Sequence, residues 1–251
     1  PVHSLAEGAP VIKRDAIKPK WIQKINELNL EHLKEFSNYN KILLDLLSSP
    51  NLSCKEEIYL QYDHMVQTNT VILPGDDAAV LRIKGSKKAL ALTTEGNGRY
   101  CFLDPFEGAR IAVAEAARNL SCKGAIPKAV TDCLNFGATE NTDSYWQLAQ
   151  AIKGLSEACQ FFDITIISGN VSLYNENKGE PIDPTPVVGM VGVIKGCEYT
   201  PTLDFKKEND LIFLLGESRN ELGGSEYLEL IHQLKHGVPP VLDLVLEKKV
   251  Q

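Results

Sequence analysis

The chain has 251 residues, 43% of them hydrophobic and 24% charged, which is ordinary globular composition and enough for one large domain or two modest ones without covalent staples. Its formal net charge of −7 argues against a nucleic acid or an anionic membrane surface as the main partner, while a local basic pocket for a phosphate stays open. Six cysteines (Cys54, Cys101, Cys122, Cys133, Cys159 and Cys197) form no C-x-x-C pair and read as reduced, mostly buried thiols rather than zinc ligands or disulfides. No apolar run approaches the ~18 residues of a membrane span, and the start lacks the pattern of a signal peptide. A cytoplasmic location is therefore expected. The first residue is not Met, so the chain reads as cut from a longer polypeptide or processed.

In chain order, residues 1–20 carry prolines, glycines and scattered charge and read as a linker. A short polar helix is expected over 21–30 and an amphipathic helix over 31–48, ended by Pro50. Ser53 and Glu56 fit a capping box that opens a helix through about Tyr62. Residues 77–83 and 89–94 flank the polar turn Lys84-Gly85-Ser86-Lys87 and predict a hairpin. The Ala-rich stretch 107–122 predicts a helix packed tightly on a sheet, with Gly124 as its stop. A buried strand over 127–134, a helix over 144–161, and strands over 164–167 and 187–194 follow, the last with glycines that allow close backbone approach. After Gly196 the pattern changes, so 199–204 is a plausible boundary. A strand over 210–216 and a helix opened by Gly223-Gly224-Ser225 through about Leu234 are expected beyond it, too little to bury a core alone.

There is no P-loop and no dinucleotide fingerprint; Gly96-Asn97-Gly98 is too short. A nucleotide site would have to be assembled from strand ends. Thr131 to Gly137 (TDCLNFG) places a carboxylate at the end of an apolar strand, and Ser168 to Ser172 (SGNVS) places a glycine, an amide and two hydroxyls at another. Mg²⁺ takes oxygen ligands, often only one or two from protein, and Asp132 and Asn170 can supply them. Gly169 leaves room for a phosphate to approach the backbone, and Ser172 can donate to a substrate phosphate or hydroxyl. On the residues alone, site and Asn/Gly/Ser-rich turn are equal readings. Gly75-Asp76-Asp77 reads as a turn before a strand, with a metal-facing pair of carboxylates as the lesser alternative. The acidic residues of Asp104-Pro105-Phe106-Glu107 read as complementing the N-terminus of the Ala-rich helix. Gly223-Gly224-Ser225 reads as either a phosphate site at a helix start or a loop and cap. His64 has no partner in view, and no Ser/His/Asp or Cys/His constellation is present.

Several segments together carry a resemblance: Gln61 to Val66 (QYDHMV), Asp77 to Arg82 (DAAVLR), Ile111 to Asn119 (IAVAEAARN), Thr131 to Gly137 and Ser168 to Glu176. In order and spacing the chain resembles the large subunit of phosphoribosylformylglycinamidine (FGAM) synthases, in the second of that family's two AIR-synthase-like repeats. The resemblance implies an α+β (mixed α/β) fold. It implies a linker with helices over 1–50, an AIR-synthase-like N-terminal domain with a barrel-forming sheet and flanking helices over 51–200, and an incomplete C-terminal domain from 205 to 251. It implies an ATP-dependent ligase that converts formylglycinamide ribonucleotide (FGAR) to the amidine with ammonia from glutamine. It implies ATP and Mg²⁺ as cofactors, and as partners the first repeat, a glutaminase subunit and a small bridging subunit. Carried over by motif, Asp132 and Gly169 would contact ATP, Asn170 the Mg²⁺ and Ser172 the substrate. The family's catalytic histidine motif belongs to the first repeat; the equivalent loop here, Glu95 to Tyr100, has no histidine and departs from the usual Asp-Cys at Glu95-Gly96. No catalytic residue is therefore assigned. The alternatives are a non-catalytic scaffold that holds a nucleotide structurally and a related ATP-using kinase, which TDCLNFG speaks against. Exposed barrel strands predict self-association of the isolated chain.

Overall fold

The computed structural model describes residues 2–251. Regular structure is sparse at first: α1 (Trp21–Asn26), α2 (Tyr39–Leu47) and α3 (Glu56–Tyr59) are all shorter than the sequence pattern predicts. The caps explain this for α2. The Asn38 side chain accepts from Lys41 N, which starts the helix at Tyr39, while Asn29 caps a separate 3-10 turn over Leu30–His32. The expected capping box at Ser53 does not form. The residue at the cap of α3 is Lys55, without a side-chain bond, and its ammonium turns back to the Ser53 carbonyl.

The sheet and its helices follow as β1 (Thr70–Ile72), β2 (Ala79–Arg82), β3 (Ala89–Glu95), α4 (Gly98–Leu103), α5 (Pro105–Cys122), β4 (Ile126–Asn135), α6 (Thr142–Phe162) and β5 (Thr165–Ser172). A small ribbon, β6 (Glu176–Asn177) with β7 (Glu180–Pro181), precedes β8 (Thr185–Ile194), and α7 (Glu226–His232) and α8 (Leu244–Val250) complete the order. The six-stranded sheet runs β1-β2-β3-β8-β4-β5. Every neighbouring pair is antiparallel except β4 and β5, which are parallel. Parallel neighbours need a crossover, and α6 provides it. The predicted hairpin forms, with Arg82 opposite Ala89.

α5 and α6 cover one face of the sheet. Ala109, Ala112, Ala116 and Ala117 on α5 are fully buried, and small side chains let the helices come close. At Gly154 on α6, a Cβ would lie 2.1 Å from the Phe106 carbonyl oxygen, so only glycine fits that approach. Asp104 caps α5, accepting from Phe106 N and Glu107 N at 3.1 and 3.0 Å, a more specific role than the charge complement expected at this helix start. β8 alternates strictly, with Val188, Met190 and Ile194 buried against the helices. The other face is uncovered and the sheet does not close into a barrel within this chain. All eight residues of the edge strand β5 are exposed.

The strand expected over 210–216 is absent. Leu211 to Leu215 lie outside helix or strand and are 73–81% exposed. A strand requires a ladder partner for its N–H and C=O groups, and the run has none among the described residues. The end of the chain is ordered instead by side chains. Glu107 accepts from the Leu242 amide and from Arg110 at 2.6 Å, and Arg118 forms a two-bond pair with Glu247 at 2.8 and 2.9 Å. No described helix is long and apolar enough to cross a membrane.

Candidate functional site

β4 and β5 leave the sheet side by side, in the register Thr131↔Ser168, Asp132↔Gly169, Cys133↔Asn170, Leu134↔Val171 and Asn135↔Ser172. The two sequence clusters are therefore one surface, and Ser168–Ser172 is strand rather than the loop beyond it. Side chains alternate between faces. Thr131, Cys133 and Asn135 point to the uncovered face with Ser168, Asn170 and Ser172. There Thr131 Oγ1 and Ser168 Oγ are 2.8 Å apart, and Cys133 Sγ donates to Asn170 Oδ1 at 3.3 Å. Asn135 Nδ2 donates to the Cys133 and Thr185 carbonyls, both at 3.1 Å, which ties this end of β4 to β8.

Asp132 lies on the opposite face, in line with buried Val130 and Leu134. A Cβ on Gly169 would sit 2.5–2.6 Å from the Asp132 carboxyl atoms. The glycine thus makes room for its neighbour's carboxylate, a role the sequence reading did not foresee. Burial pushes the Asp132 carboxyl above its ordinary range, opposed by a bond from its own backbone N–H. Burial, followed by the nearby Asp132 charge, pushes the Cys159 thiol on α6 up to about 11. Of the four sequence-predicted residues, the structure brings Asn170 and Ser172 together on one face and Asp132 and Gly169 together on the other.

The loops beyond the two strands are stitched to each other. Phe136 N donates to Ser172 O at 3.1 Å, and Asn175 Nδ2 donates to Ser172 O at 2.7 Å. The loop equivalent to the family's histidine motif is taken up by structure. Asn97 caps α4, accepting from Arg99 N and Tyr100 N at 3.1 Å, and a Cβ on Gly96 would meet the Pro186 carbonyl oxygen at 2.9 Å. Glu95 accepts from Thr93 Oγ1 at 2.7 Å and from Asn119 Nδ2 at 2.6 Å. Arg99 donates to Gly224 O at 2.7 Å and to Glu226 at 2.8 Å, and also pairs with Glu229. Burial pushes Glu226 up, but hydrogen bonds from Asn51 and Arg99 and the guanidinium charge outweigh it and hold the carboxyl below its ordinary range. This Arg99 network was not visible in the sequence.

The remaining candidates resolve as packing. The acidic turn Gly75-Asp76-Asp77 is neutralised by Lys123, a fully buried ammonium paired with Asp76, with Asp77 at 3.6 Å, and donating to Pro201 O at 3.3 Å. Gly223 packs against the backbone of Val238, and Ser225 caps the seven-residue α7 through Leu228 N. Among the described residues the His64 ring bonds only the Tyr62 carbonyl, at 3.0 Å, and its own carbonyl accepts from Thr70 Oγ1. No group of three or more His, Cys, Asp or Glu side chains capable of holding a metal occurs among the described residues.

Residues 75–194 match the family described as AIR synthase related protein, N-terminal domain. Over all 251 residues the chain is 54% identical to phosphoribosylformylglycinamidine synthase subunit PurL of Caldanaerobacter subterraneus subsp. tengcongensis, and 51% identical to subunit PurL of Moorella thermoacetica. The whole chain is thus similar to one part of PurL subunits. It spans 34% of the length of these curated relatives. Among solved structures, Thermotoga maritima PurL complexed with ADP aligns with a TM-score of 0.52 and 40% identity, covering 57% of this chain and 24% of that one. PurLQS from Thermotoga maritima aligns with a TM-score of 0.57 and 32% identity, covering 74% of this chain and 31% of that one. The mixed α+β architecture expected from the sequence is therefore that of AIR-synthase-related domains, with its sheet open.

Proposed function

We propose that this chain supplies one part of an FGAM synthase, an ATP-dependent ligase of purine biosynthesis that converts FGAR to the amidine FGAM with ammonia derived from glutamine. The observation that carries the reading is the paired set of polar side chains at the C-terminal ends of β4 and β5. Ligands of open α/β sheets bind outside the carboxyl ends of parallel strands, and β4 and β5 are the parallel pair here. Relatives over the whole chain are PurL subunits, and T. maritima PurL has been solved with ATP and with FGAR.

In the family reaction the formylglycinamide oxygen takes the γ-phosphoryl group of ATP and ADP leaves. Ammonia then adds to the activated carbon and inorganic phosphate departs. Mg²⁺ fits this surface only as an ion with few protein ligands. Asn170, whose Oδ1 also accepts from Cys133 Sγ, would offer it an oxygen on this exposed face, phosphate and water supplying the rest. Bound there, Mg²⁺ would neutralise phosphate charge. Ser172 donates to substrate on the same face. Asp132 and Gly169 are assigned to the nucleotide, with the carboxylate reaching it from the helix-covered side or holding the strand that does. A first repeat of the same enzyme would provide the acid/base histidine, a glutaminase subunit the ammonia, and a small bridging subunit the link between them; the reading places all of this in the cytoplasm.

A second reading, a scaffold that holds nucleotide without turning it over, is favoured by the Glu95–Tyr100 loop, whose side chains cap and clamp neighbouring helices. ATP-dependent amidine formation with ammonia as nitrogen donor separates the two, measured with this chain joined to a first repeat. Loss of turnover in Asn170→Ala and Ser172→Ala supports the catalytic reading. Full turnover in both variants sinks it and leaves the scaffold.

A further inference from the structure

The loops that border the candidate site are held from a distant part of the sequence. Arg14 lies in a stretch without helix or strand, yet its side chain is only 30% exposed. Nη1 donates to Thr139 Oγ1 and Nη2 to Glu140 Oε1, both at 3.0 Å. Thr139, itself buried, and Glu140 belong to the loop that follows β4. The same Glu140 oxygen accepts from the Tyr174 hydroxyl at 3.1 Å, and Tyr174 belongs to the loop that follows β5. One carboxylate oxygen therefore receives donors from the N-terminal segment and from the loop beyond Ser172.

Further observations fit a strap. The segment is anchored again where Trp21 Nε1 donates to Asp143 at 2.6 Å and the Trp21 ring stacks on Phe102 at 5.0 Å. Tyr174 has φ of +66°, a left-handed conformation that costs a non-glycine residue about 1 kcal/mol or more and persists only where its surroundings enforce it. Its hydroxyl bond to Glu140 and the Asn175 stitches on either side of the turn provide that enforcement.

We propose that Arg14 is a positioning residue for the candidate site. Acting through Glu140, it holds the loops after β4 and β5 at one spacing and so sets the opening above Asn170 and Ser172. The role in ligand binding rests on the functional reading above; the coupling of the two loops does not. Lysine cannot replace it, because a single ammonium does not present two diverging donors in a fixed plane.

The test is hydrogen exchange on this chain and on Arg14→Ala, Arg14→Lys and Tyr174→Phe, with thermal unfolding as the control for global stability. Magnesium-ATP affinity is measured in parallel on the chain joined to a first repeat. Arg14→Ala is expected to raise exchange over 136–143 and also over 173–177, which Arg14 does not touch, with little change in melting temperature. Tyr174→Phe reproduces the second effect. Affinity for magnesium-ATP falls roughly two- to fivefold, the range an exposed ion pair spans, and Arg14→Lys does not restore it. Unchanged exchange over 173–177 in Arg14→Ala, or full rescue by lysine, overturns the proposal. If the unmodified assembly binds no nucleotide, the functional reading falls, while the exchange result still decides the coupling.

Discussion

Gly169→Ala tests the most specific packing relation in the site. The new methyl would lie 2.5–2.6 Å from the Asp132 carboxyl atoms, about 1 Å inside ordinary contact distance. Gly169 is not in the left-handed region, so the substitution acts through space alone. Neither strand yields easily, because the flanking pairs Thr131–Ser168 and Cys133–Asn170 hold the register on the other face. Overpacking of this kind costs about 1–3 kcal/mol, and in a chain of this size each kcal/mol moves the melting temperature by roughly 2–4 °C. Thermal unfolding of four proteins closes the argument: the unmodified chain, Gly169→Ala, Asp132→Ala and the double variant. The alanine at 169 is expected to be costly beside Asp132 and to cost less than about 0.5 kcal/mol beside Ala, the range of an exposed substitution without a clash. Equal costs in both backgrounds would refute the idea that the glycine exists to accommodate the carboxylate.

Four other outcomes follow from the geometry. Arg99→Lys, which cannot reach Gly224 O and both glutamates at once, loses about 2 kcal/mol in urea unfolding. Because Glu226 is held below its ordinary range, its share of that stability is present above its unfolded value of about 4.3 and is lost as pH falls through the lower folded value, so the gap between the unmodified chain and Arg99→Ala narrows below about pH 4. Lys123→Met strands two carboxylates and costs about 3–5 kcal/mol, part of which Asp76→Asn in the same chain recovers. In thiol titration of the native protein at pH 8, exposed Cys54 and Cys122 react, Cys122 more slowly because burial raises its pKa, whereas Cys101 and Cys159 react only after denaturation.

The long elements were legible because their signals are local. The alanine face of α5, the acidic residues at its start and the apolar run of β8 each follow from a few adjacent residues. The short N-terminal helices were overextended because Asn38 and Asn29, ordinary residues in sequence, act as caps. Residues 210–216 have the composition of a strand, but composition does not provide a neighbour to pair with. The sequence named candidate residues but not their arrangement. Asp132 and Asn170 both stand in polar clusters, and only the β4–β5 register shows that their side chains leave the sheet on opposite sides. Likewise nothing near Lys123 or Arg99 in sequence announces the pairs that the fold makes with Asp76 and Glu226.

The position of β8 has a consequence for how the protein is made. It is the last of the sheet's strands in sequence but lies between β3 and β4, bonded to both along its length. Chains fold from the N-terminus as synthesis proceeds, so the β1–β3 meander and the β4–α6–β5 unit emerge before the strand that joins them. Until residues 185–194 have left the ribosome, the facing edges of β3 and β4 both stand unpaired, two templates for association with other nascent chains. The sheet is completed by insertion rather than by growth at an edge, and both inner edges stay open to misassociation until those ten residues arrive.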